Sequence, residues 1–84
     1  MKIVVIGSRD SVLGFSLAGI HERYLVTTRE EAEEAFTRCL QDCAIGIILI
    51  EQTMADHLAT RIRDTGKKRN MYPIIIPIPG SGDV

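Results

Sequence analysis

No charge of either sign dominates this sequence. Ten lysines and arginines stand against eleven aspartates and glutamates, a formal net charge of −1. A nucleic-acid reader carries a basic excess, so the composition argues against that class. Long apolar runs are missing too. The longest, Ala44 to Ile50, is far short of the roughly 20 residues a helix needs to cross a bilayer. The apolar stretch after Met1 is too short for a signal peptide and has no small-residue cleavage site, which points to the cytoplasm. Cysteine is scarce: only Cys39 and Cys43 occur. Without histidine ligands close by they make a poor zinc site. A structural disulfide is not expected in a cytoplasmic chain. Four-residue spacing puts both on one helix face, and unpaired cysteine is among the most often buried residues, so both are expected in the core. Internal repeats and low-complexity tracts are also lacking.

What is present fits one small globular domain. The chain has 84 residues, of which 45% are hydrophobic and 25% charged. Lys2 to Ile6 is a β-branched run ending in Gly7 and reads as a first strand buried on both faces. After a turn at Ser8, Arg9 and Asp10, either Asp10 or Ser11 is placed to cap a helix running through Gly19. Val12, Phe15 and Ala18 are its apolar positions, with Leu13 and Leu17 alongside. Gly14 inside that helix costs up to about 1 kcal/mol relative to alanine, which close approach of another backbone would offset. Tyr24 to Thr27 is a short strand flanked by polar Glu22 and Arg23, as suits a sheet edge.

Thr28-Arg29-Glu30-Glu31 matches the capping-box pattern. Ala32, Ala35, Phe36, Cys39, Leu40 and Cys43 then follow at helical spacing, opposite a face carrying Glu30, Glu33, Glu34, Arg38 and Asp42. Ala44 to Ile50 reads as a central strand covered on both sides and ended by Glu51 and Gln52. Thr53 is placed to cap a third helix whose buried stripe is Met54, Leu58 and Ile62. Gly66 serves as its C-terminal cap, and Lys67, Lys68 and Arg69 lie favourably near the negative end of the helix dipole. Ile74, Ile75, Ile76 and Ile78 form a last strand. Pro77 lacks an N–H donor, so that strand belongs at an edge.

Strands alternating with helices imply a parallel sheet with right-handed crossovers. With the second and fourth strands at the edges, the order is 2-1-3-4, a flavodoxin-like α/β sheet with helices on both faces. Residues 1–79 are expected to form one globular domain, with 80–84 as a flexible tail.

In such a sheet the ligand crevice opens where the first and third strands diverge. Here Gly7, Ser8, Arg9, Asp10, Glu51 and Gln52 would line it. Several chemistries fail on composition. The turn from Gly7 to Gly14 lacks the Gly-Lys-Ser/Thr ending of a P-loop and the three glycines of a dinucleotide fingerprint. A phospho-accepting receiver needs an acidic pair and an acceptor aspartate after the third strand, where this chain has Glu51. Cys39 and Cys43 lie near a helix C-terminus, where the dipole disfavours a thiolate. His21 and His57 have no evident nucleophile beside them and read as surface residues, and the basic run Lys67–Arg69 reads as a solvated turn. No catalytic residue, cofactor site or metal site is expected. Glu51 stands out, because it follows a very apolar strand directly and is placed to pair with Arg9. It reads equally as the start of a loop or as a contact for a protein partner.

The opening Met1-Lys2-Ile3-Val4-Val5-Ile6-Gly7 and the stretch Gly14-Phe15-Ser16-Leu17-Ala18-Gly19-Ile20 closely resemble the F subunits of the archaeal-type and vacuolar-type (A/V-type) rotary ATPases. The resemblance continues through Ile47-Ile48-Leu49-Ile50-Glu51 and Pro73 to Gly80, nearly the whole chain. It implies a four-stranded parallel sheet between helices and a non-catalytic part of the central rotor stalk. That part binds the coiled-coil stalk component, the D subunit, inside the ring of A and B subunits, where it modulates ATP synthesis or hydrolysis. The complex translocates protons or sodium ions, and the F component lies at the cytoplasmic side of the membrane as a peripheral part. Members of the family also carry a mobile C-terminal helix reaching toward the catalytic ring. This sequence stops at Val84, just after a glycine-rich hinge, as expected of a truncated chain or of a member without the extension.

Topology and resemblance together imply a partner-binding shelf of Arg9, Asp10, Ser11, Glu51 and Gln52 with the edge strand near Pro77. The alternative reading is a degenerate receiver-like signalling domain, which would bind a divalent metal and accept phosphate. A small-nucleotide module is a third, and would be stabilised by its ligand.

Overall fold

A computed structural model of the chain describes residues 2–20, 22–66 and 73–80. Four parallel strands, β1 (Lys2–Gly7), β2 (Glu22–Leu25), β3 (Ile45–Glu51) and β4 (Ile74–Ile78), lie in the order β2-β1-β3-β4. The helices between them are α1 (Arg9–Leu17), α2 (Arg29–Gln41), α3 (Gln52–His57) and α4 (Ala59–Gly66). The expected architecture and strand order are therefore present, with Pro77 exposed on the outer strand β4.

Strand alternation sorts the apolar residues onto two unequal faces. Val4, Ile6, Ile48 and Ile50 point to one side, where they are buried with Ala32, Ala35, Phe36 and Cys39 of α2, Ala55 of α3 and Leu58. Val5, Leu49 and Ile78 point to the other side and meet Val12 and Phe15 of α1. Three helices cover the first face and the nine-residue α1 covers part of the second. The expectation that the central strands are covered on both sides thus holds fully on the α2 side only. On the α1 side, Ile3 of β1 remains 36% exposed and Ile47 and Leu49 of β3 are only half-buried.

Local hydrogen bonding explains where the elements start and stop. Helix α1 begins earlier than expected: Ser8, ahead of both Asp10 and Ser11, is the N-cap residue, although its side chain makes no capping bond. At the other end, Gly19 takes φ +103°. The Gly19 N–H donates to the Ser16 carbonyl (3.1 Å) and the Ile20 N–H to that of Phe15 (3.0 Å). This is a Schellman motif, which stops the helix at Leu17 and excludes Ala18 and Gly19 from it. The Cβ position of Gly14 meets nothing within 4 Å, so no backbone of the described chain approaches it.

Strand β2 sits two residues earlier than expected because Thr27 is drawn into the cap of α2. The Thr28 hydroxyl accepts from the Glu31 N–H (3.1 Å). The Glu31 carboxylate accepts from the Thr27 N–H (2.9 Å), the Thr27 hydroxyl (2.8 Å) and the Thr28 N–H (3.2 Å). The capping box read from the sequence is formed. At the far end of α2, Asp42 accepts from Lys2 Nζ (2.9 Å) and from the Ala44 N–H (2.9 Å). The chain therefore turns away after Gln41. Cys39 stays buried while Cys43 leaves the helix and is exposed, correcting the expectation that both belong to the core.

The third helix is two helices. Leu58 stands at the joint, 1% exposed, with partly buried Met54 and Ile62 packed on the same core, so the predicted stripe is kept while the axis is broken. The N-cap position is Glu51, not Thr53. Arg61 fastens α4 to α2: its guanidinium lies 5.2 Å from the Phe36 ring centroid and donates to the Glu33 carbonyl (3.2 Å). Lys67, Lys68 and Arg69, His21 and residues 81–84 of the expected tail lie outside the described residues.

Replacing Thr28 by alanine is expected to lower stability by about 1 kcal/mol. In a domain of this size that is a fall of about 4–8 °C in melting temperature, measurable by thermal denaturation. The cap also sets an acid limb. Hydrogen bonds from Thr27 hold the Glu31 carboxyl below its ordinary value of 4.5. A depressed folded value means that its stabilisation is complete above pH 4.5 and is lost as pH falls through the folded value. A Glu31→Gln variant should therefore lose less stability than the parent chain between pH 4.5 and lower pH, as followed by urea titrations.

Candidate functional site

The carboxyl ends of β1 and β3 bring Gly7, Ser8 and Glu51 together, at the crevice position expected for this topology. Glu51 does not open onto that crevice; it fills it. It is the one buried charged residue among the described residues, 6% exposed. Its Oε2 accepts the Ser8 N–H at 2.6 Å. A Cβ placed on Gly7 would lie 2.9 Å from Oε2 and 3.3 Å from the Glu51 Cβ. A Cβ on Gly80 would collide with Oε1. Glycine at both positions is thus what lets the carboxylate sit between the β1–α1 turn and the segment leaving β4. Gly80 is buried there.

This arrangement decides what the crevice can do. The Ser8 N–H, the donor that a phosphate loop would offer, is committed to a carboxylate of the same chain. The expected pairing of Glu51 with Arg9 is not made: Arg9 is exposed, and Glu51 turns inward to a backbone donor. The Ser8 Oγ is buried with no hydrogen-bond partner among the described residues. Cys39 is enclosed in the core, and burial pushes its thiol up to about 11, which keeps it protonated and inert. Among the described residues no three metal-binding side chains converge.

The other shelf residues face outward at the same end of the sheet. Arg9 and Asp10 are exposed on the first turn of α1, with Ser11 half-buried beside them. Gln52 is exposed at the start of α3, where its Nε2 donates to Asp56 Oδ1 at 2.8 Å. Asp10, Ser11, Gly14, Phe15 and Ala18 form one wall of an apolar groove of about 410 Å³, and Pro79 and Gly80 form the other. Of the residues expected to form a shelf, Arg9, Asp10, Gln52 and Pro77 are exposed and Ser11 is half-buried, while Glu51 is buried and bonded to the Ser8 N–H.

Sequence reading did not anticipate three exposed leucines flanking the shelf. Leu13, Leu17 and Leu25 are 54%, 82% and 57% exposed. The available signal was an excess: α1 has more apolar residues than one face of a nine-residue helix can bury.

Glu51→Ala should cost about 2 kcal/mol, the loss of a charge-assisted hydrogen bond in a buried setting. It should also speed hydrogen exchange at the Ser8 amide more than at the amides of α2, as native-state exchange would show.

The sequence family described as ATP synthase (F/14-kDa) subunit matches residues 3–83. The chain is 39% identical over 78 residues to the F subunit of the A-type ATP synthase of Methanothermobacter thermautotrophicus, covering 93% of this chain and 72% of that protein. It is 40% identical over 83 residues to the F subunit of the A-type ATP synthase of Pyrococcus furiosus, covering 94% and 75%. Among solved structures, the F subunit of the V-type ATP synthase of Archaeoglobus fulgidus superimposes with a TM-score of 0.75 at 26% identity, covering 92% of this chain and 95% of that one. In the described residues no helix is long and apolar enough to cross a membrane. By sequence over nearly its whole length, and with the fold of a solved relative, the chain belongs to the family of ATP synthase (F/14-kDa) subunits.

Proposed function

We propose that this chain is a non-catalytic component of the central rotor stalk of an A/V-type ATP synthase or ATPase that translocates protons or sodium ions. It binds the coiled-coil D subunit, and through that shaft meets the catalytic A and B subunits, whose synthesis or hydrolysis of ATP it modulates. It sits at the cytoplasmic side of the membrane as a peripheral part of the complex. Family membership supports the complex. The observation that carries the docking role is Glu51. The crevice where flavodoxin-like sheets bind ligands is filled by the protein's own carboxylate, leaving outward-facing surface as the functional part.

Docking rather than chemistry also suits the energetics. A rotor part passes torque, and this small parallel sheet is fastened at its carboxyl end by two devices, the Thr28–Glu31 cap after β2 and the Glu51 clasp after β3. The shelf of Arg9, Asp10, Ser11, Gln52 and Pro77 is the surface we assign to the shaft. A receiver-like role is disfavoured by the same residue, since the side chain at the acceptor position is a glutamate, buried and hydrogen-bonded.

Mixing the chain with the recombinant coiled-coil D subunit should give a stable complex on size-exclusion chromatography, and Arg9→Glu should weaken it. Reversal of Glu51 would disturb the fold, so Arg9 and Gln52 are the positions that report on docking. Failure of the parent chain to bind this coiled coil would overturn the stalk assignment.

A further inference from the structure

One flank of α1 carries surface that the fold leaves uncovered. Arg9, Leu13 and Leu17 follow at four-residue spacing and form a single ridge. Opposite the ridge stand Arg23 and Leu25 of β2, which the register with Val5 and Gly7 places on the α1 side of the sheet. Between ridge and strand lies a hollow of about 240 Å³ lined by Arg9, Val12, Leu13, Ser16, Arg23 and Leu25. The patch is thus three exposed leucines with an arginine at either side. Arg23 is drawn toward the ridge, donating to Ser16 Oγ at 3.3 Å. Neither arginine forms an ion pair with a described residue. Among the described residues no carboxylate lines the hollow, although the chain as a whole is slightly acidic.

We propose that this α1–β2 flank is a docking site for an amphipathic helix whose apolar stripe is bordered by carboxylates. The inference rests on the stalk reading for the identity of that helix, which is one strand of the coiled-coil shaft. Arg9 belongs to both surfaces, so the flank continues the shelf down the side of α1.

Three observations select this occupant. A ridge of residues four apart packs into the groove of another helix. A strand added to the β2 edge would take the sheet's backbone groups and leave Leu13 and Leu17, which stand on the helix, uncovered. Charge then fixes which face the helix takes. Acidic borders meet Arg9 and Arg23 here, whereas on the outer face of α2 the cations Arg29 and Arg38 are already committed to Glu33 and Glu34, and Glu30 adds a further carboxylate.

The test is a binding titration of the full chain against the recombinant coiled-coil D subunit. The variants are Leu17→Glu, Arg23→Glu and, on the acidic face, Glu30→Lys. Leu17 and Arg23 are exposed, so both variants should keep the parent's circular dichroism and melting curve. Each should weaken binding by about tenfold or more, while Glu30→Lys leaves it within about twofold and rising salt weakens the parent complex. If the parent binds and Leu17→Glu and Arg23→Glu bind equally well, the flank is not the docking site and the stalk reading stands. If Leu25→Glu disrupts binding while Leu17→Glu does not, the partner adds a strand at β2, and the helix-docking inference is wrong. If the parent chain itself does not bind, both readings fall.

Discussion

A carboxylate buried at the end of a parallel sheet must find donors, and Glu51 finds its partner in the first turn after the neighbouring strand. That hydrogen bond to the Ser8 N–H ties β3 to the start of α1 across the crevice. The same side chain presses on Gly80 and so fixes how the chain leaves β4. Three crossings of the sheet converge on one side chain. Removing it would leave a buried N–H unpaired and a void between Gly7 and Gly80. The placement of α1 depends on this clasp, and with α1 go the shelf and the leucine flank.

The clasp also separates this domain from ligand-binding members of the same architecture. A flavodoxin-like sheet usually offers its carboxyl end to a phosphate or a cofactor. Here that end is spent internally. What remains to meet other molecules is the outer surface, and the surface is uneven. The α2 side is closed by three helices and presents carboxylates outward that are largely paired within α2, while the α1 side has one short helix, exposed leucines and isoleucines, and arginines in no ion pair with a described residue. Such asymmetry gives a docking protein an orientation: one side offers apolar surface to pack on, the other is already closed.

The sequence showed most of the architecture because its signals were local and mutually consistent. The β-branched runs, the Thr28–Glu31 box and Pro77 on the last strand each state a position in the sheet. What escaped it depended on contacts distant in sequence. Cys43 has helical spacing, yet Asp42 bonds to Lys2, forty residues away, and turns the chain before Cys43 can join the face. Glu51 was recognised as unusual, but a residue that pairs with a backbone N–H instead of an arginine carries no mark of it in the sequence. The joint at Leu58 likewise leaves no trace, since its residues favour helix on both sides. The apolar excess of α1 signals that some of its residues stay exposed, but that these are Leu13 and Leu17 follows only from the seating of α1 over β1 and β2.

The central claim is that this chain rides on the shaft of a rotary ATPase with its α1–β2 flank inward. An electron cryomicroscopy map of the intact complex containing this chain tests it most directly. The account predicts the four-stranded sheet beside the coiled coil, with Leu13, Leu17, Arg9 and Arg23 against a shaft helix and the acidic face of α2 turned to solvent. A map that places the chain away from the shaft, or seats it there through α2, would contradict the account.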